Sequence, residues 1–292
     1  MFCFVILHYL TIEETISSVN SIKKLKGDKK IIIVDNASPN GSGLKLKNKY
    51  KNSDDVTVIL NKENIGFAKG NNIGYNYAVK KYNPDFIIVL NNDVEIYQKD
   101  FMERIEKIYI TYKFAVLSPD IYSTFSGVHQ SPKRLSGYSY EEVSSLLKIY
   151  KKRCNSKVLI PIKCLLKEIS ALKKVMQLLK FKSKKIDYNK QYFDIPLHGA
   201  CFIFSKDFIK KRKTAFFDGT YMYFESEILD YECRRDSLKT MYDPSIKVNH
   251  HHSVSSARTY KSELKRETFV NKCVYNSLKS FKNLINEDKT KK

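Results

Sequence analysis

Asp85-Phe86-Ile87-Ile88-Val89-Leu90-Asn91-Asn92-Asp93-Val94-Glu95 holds an unbroken run of five apolar residues, Phe86 to Leu90, that stops on three polar side chains. Such a run suits a strand buried on both faces, as in a parallel sheet covered by helices. The polar trio then falls at the strand's carboxyl end, where open α/β sheets hold their ligands. Asp93 is the one obligate anion of the trio, and its two neighbours are amides that donate or accept hydrogen bonds. A lone carboxylate beside amides suits a hard cation shared with phosphate oxygens. The same residue types also favour turns, so the trio alone leaves turn and site open.

Working outward, residues 2 to 7 read as a first strand and Thr11 to Leu25 as a helix, with Thr11 and Glu14 in a capping-box pattern. Ile31 to Val34 is a second strand closed by the turn-rich Asp35 to Ser42. A short helix over Leu44 to Tyr50 and a strand over Val56 to Leu60 follow. Asn61 to Asn72 then leads into a helix ending near Lys81. Strand and helix alternating with short polar links is the signature of βαβ units and a mostly parallel sheet. Polar clusters around Asp35, around Asn64 to Asn71 and around Asp93 each follow a strand, so they converge on one sheet edge. The glycines at 66, 70 and 74 match neither the dinucleotide-binding pattern nor the P-loop.

A chain of 292 residues buries a sizeable core, and no window approaches the apolar length of a membrane span. Six scattered cysteines without close pairs argue against a zinc or disulfide framework and for a reducing compartment, hence the cytoplasm. Met1 to Tyr9 lacks a basic region and a small-residue cleavage site, which reads as a strand and not a leader. The net charge of +21 attracts anionic partners without choosing among nucleic acid, membrane and small ligands.

Val34-Asp35-Asn36-Ala37-Ser38, Asn64-Ile65-Gly66-Phe67-Ala68 with Gly70-Asn71-Asn72, and Leu90-Asn91-Asn92-Asp93 together resemble the family-2 glycosyltransferases. The pattern is similar to that of bacterial rhamnosyltransferase-like members that build surface polysaccharides. His198-Gly199-Ala200-Cys201, Phe217-Asp218, Tyr223-Phe224-Glu225 and Tyr242-Asp243-Pro244 through His250 continue it in order. The resemblance implies an α/β GT-A fold and a nucleotide-diphosphate-sugar donor, such as a UDP- or dTDP-sugar. It also implies a divalent metal (Mg2+ or Mn2+), a saccharide or lipid-linked acceptor, and inverting transfer. It puts Asp35 and Asn36 at the nucleoside and Asn64, Gly66 and Asn71 around the nucleotide. Asn91, Asn92 and Asp93 fall in the family's Asp-x-Asp position. Asn91 replaces the first acid there, which leaves Asp93 as a metal contact. His250 falls where relatives place a histidine near the diphosphate or metal, and His198 and Asp218 fall on the acceptor side.

In an inverting transfer a carboxylate takes the acceptor hydroxyl's proton while diphosphate departs from the opposite face. The family has two adjacent acids where this chain reads Glu225-Ser226-Glu227. Ser226 in the second place leaves both carboxylates as candidate bases, Glu227 ahead of Glu225. Each residue also has a plainer reading. Asp35, Asn64, Gly66 and Asn71 build turns, Phe217 to Phe224 packs, and only one or two of His250-His251-His252 can share a site, since neighbours in an extended chain face opposite ways.

Lys148 to Lys190 holds fourteen Lys and Arg against Glu168 and Asp187, so +12 of the +21 lies in one insert. Ile162, Leu165, Leu166, Ile169, Leu172, Met176 and Leu179 recur there at helical spacing. An amphipathic helix of this kind packs on its own domain or docks on an anionic membrane, and the spacing does not choose. The division expected is 1–120 for the nucleotide-sugar half, 121–196 for the basic helical insert, 197–260 for the acceptor half, and 261–292 for a closing helix and tail. Two other functions compete with a sugar transferase: a weakened sugar-binding relative, motivated by Ser226, and a nucleic-acid-binding module, motivated by charge. The second leaves the strand-end clusters unexplained and lacks an RNA-binding signature, so no nucleic-acid partner is expected.

Overall fold

The computed structural model describes residues 1–156, 160–161, 186–251 and 262–290. Its first part alternates as predicted: β1 (Phe2–His8), α1 (Ile12–Lys23), β2 (Lys29–Asp35), α2 (Ser42–Lys49), β3 (Val56–Leu60), α3 (Phe67–Tyr82) and β4 (Phe86–Asn91). Then come β5 (Val94–Glu95), α4 (Phe101–Tyr112), β6 (Val116–Ser123), β7 (Val128–His129) and α5 (Tyr140–Asn155). The last elements are β8 (Tyr192–Phe193), β9 (Cys201–Ser205), α6 (Lys206–Lys211), α7 (Glu225–Arg235), β10 (Thr240–His250) and α8 (Glu263–Thr290).

The strands form one sheet in the order β3-β2-β1-β4-β9-β6-β10-β5, with β7 beside β6 and β8 beside β10. The first four are mutually parallel. β9 runs antiparallel between β4 and β6, and β10 then runs parallel to β6. The reversal at β9 builds the site. The residues ahead of β9 and the carboxyl ends of β6 and β10 all reach the edge where β1, β2 and β4 end.

Both faces of the central strands are covered, which is why their sequences are apolar without alternation. Phe4, Ile6, Ile33, Ile88 and Leu90 pack with Val19 and Ile22 of α1 and Phe101 and Ile105 of α4. Val5, Ile32, Val34, Ile87 and Val89 pack with Tyr75 and Ala78 of α3, and with Phe202 and Phe204 of β9. A third cluster joins Val143 of α5 and Ile228 of α7 to Val274, Leu278, Phe281 and Ile285 of α8. One face of α8 is therefore packed, although Leu264 near its start is exposed. Phe281 is fully buried and edge-on to Tyr231, with ring centroids 5.6 Å apart. Phe281→Ala is expected to lower unfolding free energy by about 3–5 kcal/mol in urea titration. A loss under about 1 kcal/mol would mean that α8 does not belong to the cooperative unit.

Two sequence expectations change. Thr11 stands at the N-cap of α1 but makes no side-chain cap, because Asn92 Nδ2 donates to its hydroxyl at 2.7 Å. The full capping box belongs to α5, between Ser139 and Glu142. The insert expected over 121–196 begins inside the sheet, since β6 runs to Ser123 and β7 returns along it, and β8 pairs with β10 before that stretch ends. The amphipathic helix expected over 162–179 lies outside the described residues. No helix among the described residues is long and apolar enough to cross a membrane.

Candidate active site

His8 and Asp35 are register partners at the ends of β1 and β2, and Leu7 pairs with Asn91 at the end of β4. Two residues on, Asp93 lies within reach of β10: its Oδ1 is 3.2 Å from His250 Nε2, and both side chains are buried. The backbone ties them as well, since His251 N donates to Asp93 O at 2.9 Å and His250 pairs with Val94. Gln130, at the end of the β6–β7 hairpin, accepts from His250 Nδ1 at 2.7 Å. That bond uses an N–H on Nδ1 and turns Nε2 toward the carboxylate. The His198 ring lies 6.3 Å from that of His250, and His198 Nδ1 accepts from Ala200 N at 3.1 Å.

At the end of β2, Asp35 accepts from Ser38 Oγ at 2.6 Å. His8, 3.9 Å from Asp35, is no ion partner at neutral pH: burial lowers its pKa to about 4, and Thr15 and Ser42 hold its two nitrogens at 2.7 Å. Gly43 lets α2 pass against the Asp35 carboxylate, where a Cβ would collide. Asn36 is a brace and not an open donor contact. Its Nδ2 donates to Asn64 Oδ1 (2.9 Å) and Gly66 O (3.1 Å), and its Oδ1 accepts from Asn61 Nδ2 and Ile65 N. Asn64 Oδ1 also receives Gly66 N at 3.0 Å, so the 61–66 loop is fixed by amides. Gly66, at φ 84°, is required by close approach: a Cβ there would overlap the backbone of Tyr221. Asn71 donates from Nδ2 to Phe67 O at 3.0 Å.

Asn92 is likewise corrected. Alternation along the turn sends it away from Asn91 and Asp93 into α1, where its Nδ2 meets Thr11 Oγ1 (2.7 Å) and Thr15 Oγ1 (3.1 Å). It anchors the turn that presents Asp93.

Ahead of α7, Asp218 accepts from Asn72 Nδ2 at 2.6 Å. Tyr223 and Phe224 both have left-handed φ (71° and 70°), a conformation costing on the order of 1–3 kcal/mol each, just before α7 begins with Glu225. Glu227, one residue past Ser226, accepts from the Ser226 hydroxyl at 3.1 Å. It lines a cavity of about 490 Å³ with Lys133, Arg134, Tyr138 and Leu197, the residue ahead of His198. Glu225 instead is buried near Cys273 of α8.

Residues 5–232 match the sequence profile described as Glycosyl transferase family 2. The chain belongs to that family. Within it, the chain is 31% identical over 117 residues to the low-salt glycan biosynthesis hexosyltransferase Agl10 of Haloferax volcanii. That stretch covers 40% of this chain and only 35% of the relative. Among solved structures, S. aureus TarS 1–349 in complex with UDP-GlcNAc is similar at TM-score 0.53 and 14% identity, covering 92% of this chain and 66% of that one. GalNAc-T7 with UDP, GalNAc and Mn2+ is similar at TM-score 0.56 and 14% identity, covering 86% and 44%. These likenesses place the α/β sheet and its flanking helices in the GT-A fold.

The donor set at the strand edge suits a divalent cation. Among the described residues no three His, Cys, Asp or Glu side chains cluster as a metal cage; Asp93 and His250 are a pair that could hold a cation. A carboxylate and an imidazole fit Mn2+ well and Mg2+ acceptably. His250 and its support by Gln130 lie in different parts of the chain, and nothing in the sequence marked Gln130.

Burial raises the Glu225 carboxyl from its ordinary value of 4.5 to about 7, with the nearby Glu227 charge adding to the effect. The unfolded chain titrates near the ordinary value, so folding favours the protonated acid. Stability therefore falls as pH rises from about 4.5 to about 7, by on the order of 3 kcal/mol at most, and stays low above that. Glu225→Gln removes this contribution. Its Tm is expected to match the wild type near pH 4 and exceed it at pH 8, while Asp230, raised to about 6 by burial, adds the same trend to both proteins. A Tm difference independent of pH would contradict this.

Proposed function

We propose that this chain transfers a sugar from a nucleotide-diphosphate-sugar donor to a saccharide or lipid-linked acceptor, with inversion, in surface-polysaccharide synthesis. The observation that carries the reading is the 3.2 Å approach of Asp93 and His250, from separate strands, at the edge where Asp35 and the 61–66 loop also end. Family membership supports the reaction class. The UDP-GlcNAc of the TarS structure and the UDP and Mn2+ of the GalNAc-T7 structure support a UDP-sugar donor and Mn2+.

In this reading Asp35 and the 61–66 loop bind the nucleoside, and Asn91 lies beside the diphosphate. Asp93 and His250 would hold a divalent cation, which when bound neutralises charge developing on the departing diphosphate. Gln130 keeps the His250 lone pair available. Glu227 takes the proton of the acceptor hydroxyl in the cavity it lines, with His198 and Asp218 at the acceptor's side. Ser226 orients Glu227 through its hydrogen bond, so the acid missing from the family's second position is replaced one residue further on. The basic insert supports peripheral docking on an anionic membrane at the cytoplasmic face. Sedimentation with anionic and neutral liposomes tests this, and absence of binding to both at low salt would exclude it.

The function is tested by presenting UDP- and dTDP-sugars with Mn2+ and following thermal stabilisation and release of the nucleoside diphosphate. At least one donor is expected to raise Tm and release its diphosphate faster when a saccharide acceptor is added. Stabilisation by oligonucleotide with none by any nucleotide-sugar would overturn the reading.

A further inference from the structure

Asn72 is buried on the first turns of α3, outside the set of groups assigned above to donor, cation or acceptor. Its amide forms a closed pair with one backbone unit of a loop 144 residues away. Oδ1 accepts from Phe216 N at 2.9 Å and Nδ2 donates to Phe216 O at 2.7 Å. The other Nδ2 proton goes to Asp218 Oδ1 at 2.6 Å. The pairing copies a rung of β-ladder with a side chain, so it fixes both the position and the direction of the Phe216 backbone. It uses every hydrogen-bonding capacity of the Nδ2 group.

The same end of α3 grips this loop twice more. Phe67 N donates to Tyr221 O at 2.7 Å, and the Phe67 ring stands edge-on to Phe216 with centroids 5.5 Å apart. Gly66 allows the contact because no Cβ stands between it and Tyr221. From Tyr221 the chain runs through the left-handed residues 223 and 224 straight into Glu225 and Glu227. On its other side, the start of α3 continues the 61–66 loop braced by Asn36. One helical end therefore bears both loops, with Asn72 as its most constrained contact to the second.

We propose that Asn72 is a positioning residue that links order in the 61–66 loop to the placement of the 216–224 loop and of the α7 carboxylates. The proposal rests on reading 61–66 as the nucleotide's loop. Asn72 touches neither donor nor acceptor; it acts through Phe216 and Asp218. Alanine removes all three hydrogen bonds, whereas serine keeps a hydroxyl on the same side.

The test is hydrogen–deuterium exchange of the full chain with and without UDP and Mn2+, for wild type, Asn72→Ala and Asn72→Ser. In wild type, UDP is expected to slow exchange in both 61–71 and 216–224. In Asn72→Ala the slowing persists in 61–71, with UDP affinity within about threefold of wild type, and disappears from 216–224. Donor turnover then falls at least about thirtyfold in kcat with little change in donor KM. A purely structural role would loosen 216–224 equally with and without UDP. UDP-linked protection of 216–224 that survives both substitutions would overturn the proposal. So would wild-type protection confined to 61–71, a result that needs no variant to fold. Protection of neither loop in wild type would instead overturn the nucleotide reading, and the linkage with it.

Discussion

Asp93→Asn is expected to lower sugar transfer at least about a thousandfold without unfolding the chain. Asparagine keeps the shape of the side chain and removes the charge. The backbone bond from His251 N to Asp93 O is untouched, so β5 and β10 stay paired. What is lost is the anion opposite His250 Nε2, one of the two side chains that would hold a divalent cation in the proposed function. Two ligands leave little redundancy, and developing negative charge on a leaving diphosphate is costly where it is not neutralised. The measurement is initial-rate release of nucleoside diphosphate across a Mn2+ titration. The variant should fail to recover even at high Mn2+. Retention of more than about a tenth of wild-type kcat would place the cation, or the chemistry, elsewhere.

Glu227→Gln is the second substitution with a large expected effect, about a hundredfold to ten-thousandfold in kcat with donor binding unchanged. Glu227 lines the cavity beside Leu197 and is approached by the Ser226 hydroxyl, whereas Glu225 is buried toward α8. Glu225→Gln should therefore lower kcat by less than about tenfold while changing the pH dependence of stability. Binding of UDP measured separately distinguishes a lost base from a lost donor site. The opposite ranking of the two variants would move the base to Glu225 and give its raised pKa a chemical role.

The central strands were legible because burial on both faces leaves nothing but apolar residues between polar ends. Phe86 to Leu90 and Ile31 to Val34 announced where β4 and β2 stop, and so where Asp93 and Asp35 stand. The reversed β9 was not legible: Cys201 to Ser205 is as apolar as a parallel strand, and direction comes from pairing with β4 and β6. Side-chain direction within a polar cluster was hidden too. Asn36 and Asn92 look like their neighbours in sequence, yet both turn inward, because loop 61–66 and helix α1 offer backbone and hydroxyl partners that only the fold supplies. Gln130 and Asn72 act across 120 and 144 residues, a separation over which local pattern carries no information. The Thr11 capping box failed for the same reason, since Asn92 takes the hydroxyl first.

In the proposed function a nucleoside diphosphate would be held through a divalent cation gripped by Asp93 and His250. Calorimetric titration of UDP in Mn2+ and in EDTA, on wild type, Asp93→Asn and His250→Ala, tests it most directly. Wild-type affinity should rise at least about tenfold with Mn2+, and both variants should lose that gain while keeping the weak metal-free binding. UDP binding that ignores Mn2+ in wild type, or a gain that survives in Asp93→Asn, would contradict it.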